Sequence, residues 1–169
     1  MIQFDAQDLK KMERIPRLNL INSLAGIKPA NLIGTRSQEH GSNLAIFSSV
    51  MHLGSNPALM GLISRPGEEI QRHTYENIIQ SGEYSINMVT ATMSRRAHYT
   101  SAKFEASETE FEACGFEEEY LAHFSAPFVK ESPIKMAMKL KEEIPISLNG
   151  TRLIIGEISK VLIAKAVSY

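Results

Sequence analysis

Three extended runs, Ala30 to Ser37, Asn43 to Leu53 and Ala58 to Arg65, follow one another with no helix between them. Parallel strands need a crossover of a dozen or more residues, so neighbours this close in the chain pair antiparallel. A doubly wound parallel fold is thereby disfavoured. Glu83 to Thr90 alternates Tyr84, Ile86 and Met88 with Ser85 and Asn87, which predicts a further strand. Ile134, Met136, Met138 and Leu140 alternate with Lys135, Ala137, Lys139 and Lys141, the pattern of a strand with one wet face. Asn149-Gly150 then suits a type I′ hairpin turn, and the returning run extends from Thr151 to Ala166. The expected architecture is mainly β, a barrel or sandwich with short peripheral helices.

Those helices have local signatures. Residues 6 to 24 read as two helical pieces separated near Pro16, with Leu18, Ile21 and Leu24 on one face. Thr74 to Ser81 places Tyr75, Ile78 and Ile79 together, and Gly82 sits where a C-cap belongs. Ser94 to Lys103 is expected to be helical. Ser107-Glu108-Thr109-Glu110 has the capping-box pattern, opening a short helix that runs to Cys114 and ends at Gly115. A chain of 169 residues, 43% apolar and without repeats or a long linker, is expected to form a single domain over 1–169, with 1–25 as a helical lead-in.

Residues 41 to 64 carry no Asp, Glu, Lys or Arg, which raises the question of a membrane span. Five serines and the break at Gly54-Ser55-Asn56-Pro57 divide the stretch into two strand-length pieces of a soluble sheet. A net charge of −1 excludes a general nucleic-acid binder, which needs a basic excess to neutralise phosphates. The single cysteine, Cys114, excludes an internal disulfide and any multi-cysteine metal site. The first residues lack the apolar segment of a signal peptide, so a cytoplasmic location is expected. Seven glutamates between Glu105 and Glu119, uninterrupted by a basic residue, read as a solvated excursion in preference to a patch facing an electron-transfer partner.

Self-contained hydrolytic chemistry is poorly supplied. There is no G-x-G-x-x-G, no P-loop and no G-x-S-x-G, and the two aspartates, Asp5 and Asp8, lie at the extreme N-terminus. No two of the five histidines stand at i, i+4, and no metal site is expected. Two features do suit a ligand. Arg72-His73-Thr74 opens a helix and Arg65 ends the preceding strand, which makes either a phosphate cradle or an ordinary threonine cap with exposed arginines. Ser48 and Ser49, placed inside a buried strand, must be satisfied by backbone or by a polar ligand such as a flat heteroaromatic ring.

Several segments resemble one family in order. They are Asn43-Leu44-Ala45-Ile46-Phe47-Ser48-Ser49, Ser55-Asn56-Pro57-Ala58-Leu59-Met60-Gly61, Arg72-His73-Thr74-Tyr75-Glu76-Asn77-Ile78, Tyr84-Ser85-Ile86-Asn87 and Thr100-Ser101-Ala102-Lys103-Phe104. Glu110-Phe111-Glu112-Ala113-Cys114-Gly115, Lys130-Glu131-Ser132-Pro133 and Ile154-Ile155-Gly156-Glu157 continue the series. From about residue 26 onward the chain resembles the FMN-binding flavin reductase-like family. That resemblance implies a split β-barrel homodimer with FMN at the subunit interface. By position, Ser48, Ser49, Val50 and Met51 would meet the isoalloxazine ring, and Arg65, Arg72 and Thr74 would hold the phosphate. Asn43, His98 and Ser101 would contact the ribityl chain or ring. The family often has Lys-Asp-Thr at Arg72-His73-Thr74, and members commonly continue beyond the position of Tyr169.

The resemblance implies an NAD(P)H-dependent flavin reductase, with NADH or NADPH as hydride donor. Its alternatives are a flavoredoxin-like electron carrier reduced by a protein partner and a catalytically silent dimerisation domain. No single residue is expected to be catalytic, because the cofactor carries the chemistry.

Overall fold

The structure, a computed structural model, describes residues 1–67, 72–102, 104 and 108–165. A seven-stranded antiparallel sheet is built from β1 (Asn31–Ser37), β2 (Gly41–Phe47), β3 (Met51–Ser55), β4 (Ala58–Ser64), β5 (Glu83–Met88), β8 (Ile134–Ile146) and β9 (Thr151–Ile163). Its strand order is β2-β1-β5-β8-β9-β4-β3. The two edge strands, β2 and β3, are consecutive in the chain and are joined by Ser48, Ser49 and Val50. The sheet therefore curls into a barrel whose seam is bridged by three residues, without ladder pairing between its edges. A small ribbon pairs β6 (Glu118–Glu119) with β7 (Phe128–Val129).

Both faces of β1 are buried from Asn31 to Thr35. Ile33 faces the barrel interior with Val50, Leu62, Ile78, Tyr84, Ile86, Met138 and Ile154. Its neighbour Leu32 faces outward, against Leu44, Met93, Ala97, Phe111, Cys114, Phe116 and Val129. Each such Leu or Ile contributes about 1.5–3 kcal/mol on leaving water. Helix α3 (His73–Ser81) supplies Ile78 to the inner cluster. Helices α4 (Ser94–Tyr99) and α5 (Glu110–Ala113) cover the outer one.

Local chemistry corrects several expected boundaries. The lead-in breaks at Met12–Glu13, between α1 (Ala6–Lys11) and α2 (Arg14–Leu24), because Pro16 fits the first turn of α2, where its missing N–H costs no helical bond. Leu18, Ile21 and Leu24 are all exposed. The run Asn43–Leu53 is two strands, and Ser48 and Ser49 lie in the gap between them instead of inside a core strand. β5 ends at Met88 and α4 at Tyr99. Lys103, Ser107 and Ala166 lie outside the described residues. The N-cap of α5 is Thr109, whose hydroxyl accepts from Phe111 N.

The β8–β9 turn has four residues, 147–150, and only Gly150 takes positive φ. Asn149 keeps negative φ, and its side chain accepts from Thr151 N at 3.1 Å. Lys135, expected on a wet face, is buried. Its ammonium pairs with Glu119 and donates to Lys130 O at 3.0 Å. The acidic block is likewise structural in part. Glu110 accepts from the backbone N–H of Leu44 at 3.0 Å, and Ser42 donates to Glu118, so these carboxylates cover the open edge of β2.

Candidate functional site

The candidate site begins at the seam. The β3–β4 ladder starts at Met51↔Gly61 and shifts register between His52 and Gly54. Extended back past Met51 it would pair Ser49 with Ile63, and there a side chain takes the place of the backbone rung. Ser49 Oγ accepts from Ile63 N at 3.1 Å and donates to Ile63 O at 3.4 Å. One hydroxyl thus replaces a strand rung, and the serine is satisfied by backbone. Ser48 is exposed, Val50 is buried in the inner cluster and Met51 is exposed at the start of β3. Among the described residues, the backbone of Ser48, Ser49 and Val50 makes no hydrogen bond, leaving consecutive N–H and C=O groups for a partner.

From Ile63 the chain reaches Ser64, the last residue of β4, and then Arg65. Arg65 is exposed; its carbonyl accepts from Ser64 Oγ at 3.4 Å, and its guanidinium engages no partner among the described residues. Arg72, the N-cap residue of α3, donates from Nε to Pro66 O at 3.1 Å, which holds the end of β4 against the start of the helix. The first intrahelical bond runs from Glu76 N to Arg72 O, so the N–H groups of His73, Thr74 and Tyr75 precede the ladder. With the partial positive charge of the helix start and two arginines, this end of α3 favours an anion.

Thr74 has a different role from the expected cap. Its Oγ1 accepts from Asn43 Nδ2 at 3.1 Å, while Asn43 Nδ2 also donates to Thr35 Oγ1 at 3.1 Å. Asn77 Nδ2 donates to the same Thr35 oxygen at 3.1 Å. All four side chains are buried, and they tie β1, β2 and α3 together. Thr35 and Asn77 escaped the reading of the sequence. Asn77 stands three residues after Thr74 on the helix, which was a usable signal, whereas Thr35 is brought in only by its pairing with Asn43.

Hydrogen bonds thus join Asn43 to Thr74, Ser49 to Ile63 and Arg72 to Pro66 along one continuous path. His98 and Ser101 stand apart from it. Both are exposed, and Ser101 Oγ donates to His98 O at 2.7 Å. They lie on or just after α4, which packs on the outer cluster, whereas Asn43 and Thr74 belong to the side covered by α3.

A second cluster flanks the start of α3. Tyr75 Oη donates to Glu143 Oε1 at 3.0 Å, Arg152 Nε pairs with the same oxygen at 2.8 Å, and the Arg152 guanidinium lies 4.8 Å from the centre of the Tyr75 ring. Burial, followed by the Glu143 hydrogen bond and charge, raises the Tyr75 pKa above its ordinary value. Among the described residues no group of three or more His, Cys, Asp or Glu is placed to hold a metal ion. No described helix is long and apolar enough to cross a membrane.

Comparison with known proteins places the chain in a family. The family described as flavin reductase like domain matches residues 27–168. A crystal structure from Shewanella frigidimarina NCIMB 400, provisionally assigned as a flavin reductase with a split barrel domain, is 47% identical, with a TM-score of 0.92 over 98% of this chain and 82% of that one. Nitrilotriacetate monooxygenase component B from Bacillus cereus shares the fold at 20% identity, with a TM-score of 0.87 over 100% of this chain and 84% of that one. An uncharacterized protein of Aquifex aeolicus (strain VF5) is 26% identical over 128 residues, covering 75% of this chain. The chain spans only 65% of that relative's length.

Proposed function

The chain belongs to the flavin reductase like domain family, and on that premise we propose that it is an FMN-binding oxidoreductase, a cytoplasmic homodimeric flavin reductase taking hydride from NADH or NADPH. The observation that carries this reading is the backbone of Ser48–Val50 at the barrel seam, unpaired among the described residues and linked through hydrogen bonds and the chain to the arginine-flanked start of α3. Those residues fit the two ends of a flavin nucleotide. The seam backbone would meet the polar edge of the ring. Arg65, the Arg72 guanidinium and the first N–H groups of α3 would hold the phosphate. The Thr74 hydroxyl, engaged with Asn43, fixes the helix start, and the Thr74 backbone N–H would be among the donors to the phosphate.

A bound flavin supplies the ring that accepts a hydride and passes electrons onward. The protein's part is to bind that ring, set its orientation and leave one face open to a second substrate. A second copy of the chain is supported by α2, which buries none of its eleven residues and exposes Leu18, Ile21 and Leu24. An isolated helix of that length is marginal in water.

The test is a visible absorption spectrum of the purified protein with added FMN, then with NADH or NADPH in the absence of oxygen, paired with a light-scattering mass. A bound flavin spectrum that bleaches, on a dimer, is expected. Bound flavin that stays oxidised with both nucleotides sinks the reductase reading, and no retained flavin sinks the site.

A further inference from the structure

The β8–β9 hairpin meets both segments that carry the arginines of the anion site. Gly150 packs against Pro66: a β-carbon there would stand 3.3 Å from Pro66 Cγ. Pro66 follows Arg65 and accepts from Arg72. Arg152, which pairs with Ser64 in the ladder, and Glu143 together hold Tyr75 in the first turn of α3. A cleft of about 110 Å³ lies between Pro66–Gly67 and the hairpin residues Pro145, Ile146 and Thr151. One hairpin end therefore braces the end of β4 and the start of α3, which the chain joins only through residues 65–72.

Arg152 is unsuited to binding phosphate itself. Glu143 neutralises it and the Tyr75 ring covers one of its faces. Its chemistry is that of a fastener: one carboxylate oxygen receives both the tyrosine hydroxyl and the guanidinium, which fixes the ring and with it the helix start. We propose that Glu143 and Arg152 are positioning residues that clamp Tyr75, so that the end of β4 beside Arg65 and the α3 start beside Arg72 hold one spacing, matched to the phosphate of a flavin mononucleotide. This rests on the flavin reading above and adds a determinant of selectivity for the phosphorylated over the unphosphorylated flavin.

Fluorescence titration of the full chain with FMN and with riboflavin tests it in wild type, Tyr75→Phe, Glu143→Ala and Glu143→Gln. Tyr75→Phe removes one hydroxyl and keeps the ring, so folding is preserved. This variant and Glu143→Ala are each expected to weaken FMN about three- to tenfold, the scale of one hydrogen bond. Riboflavin affinity stays within about twofold, and Glu143→Gln, which keeps the acceptor for Tyr75, recovers part of the loss. Parallel weakening of both flavins makes the pair merely structural and overturns the proposal. Tighter FMN binding by Glu143→Ala overturns it too, because a freed Arg152 would then be a ligand. A wild-type preference for FMN that all three variants keep overturns the clamp alone. Equal wild-type affinity for the two flavins overturns the phosphate reading as well.

Discussion

The hydroxyl of Tyr84 occupies the space that a β-carbon on Gly156 would need. Tyr84 pairs with Met138 on β8, and Gly156 lies on the next strand, β9, so the phenol reaches past one strand across the barrel interior. Its ring stays close as well, with Cζ 2.9 Å and Cε1 3.1 Å from the same point. Gly156→Ala therefore forces the ring or β9 to move and is expected to cost about 1–3 kcal/mol. A urea denaturation midpoint that falls with an unchanged slope checks it. Combined with Tyr84→Phe the loss shrinks but does not vanish, because the ring carbons remain.

The same hydroxyl is buried without a hydrogen-bond partner among the described residues. Removing it in Tyr84→Phe leaves no donor or acceptor stranded, so stability is expected to hold or rise by up to about 1 kcal/mol. Burial raises the phenol's pKa well above the ordinary 10.0. The folded state then binds that proton more tightly than the unfolded state does. Its contribution is complete below pH 10 and is lost as the pH rises beyond it. Denaturation midpoints of wild type should fall above pH 10 more steeply than those of Tyr84→Phe, and parallel curves would refute the burial argument.

Adjacent serines at the seam should respond oppositely to truncation. Ser49→Ala strands the backbone N–H of Ile63 and is expected to cost about 1–2 kcal/mol. Ser48 is exposed and its hydroxyl bonds to nothing among the described residues, so Ser48→Ala should stay within about 0.5 kcal/mol. Equal midpoints for the two variants would remove the rung from the account.

The legible part of this fold was its local chemistry. Alternation located β5 and β8, and Gly82 marked the end of α3, where it adopts φ +70°. The gap at Ser48–Val50 was hidden because Phe47 and Val50 flank the two serines, so the stretch reads as one uninterrupted strand. A strand break facing the core differs from a strand only in its hydrogen bonds. Buried Lys135 was hidden for a related reason: its partner, Glu119, lies sixteen residues back in a block that reads as solvated. At the site, Ser49, Arg72 and Thr74 were legible from the residues themselves, and Asn43 only through the family resemblance. Glu143 and Arg152 were not, since they reach Tyr75 only after β8 and β9 fold beside α3.

Cys114 gives a further check on the outer cluster. It is 5% exposed, and burial, then the nearby charge of Glu110, raises its thiol pKa while Arg96 opposes. The thiolate is the reactive form, so a thiol reagent at pH 8 should leave the folded protein unmodified and react fully in denaturant. Prompt labelling of the native protein would mean that the cover provided by α5 opens readily.

The two arginines divide binding from stability. Arg65 is exposed and its guanidinium has no partner among the described residues, so Arg65→Ala should leave the denaturation midpoint unchanged and weaken FMN about tenfold, the scale of one charge-assisted hydrogen bond. Arg72 also donates to Pro66 O, so Arg72→Ala is expected to lower both FMN affinity and stability. Riboflavin binding, which offers no phosphate, should be indifferent to Arg65→Ala. Raising the salt concentration should erode the wild-type preference for FMN and narrow its gap from the Arg65 variant, because exposed charges are screened. An Arg65→Ala protein that still prefers FMN by the wild-type margin would move the anion site away from the end of β4.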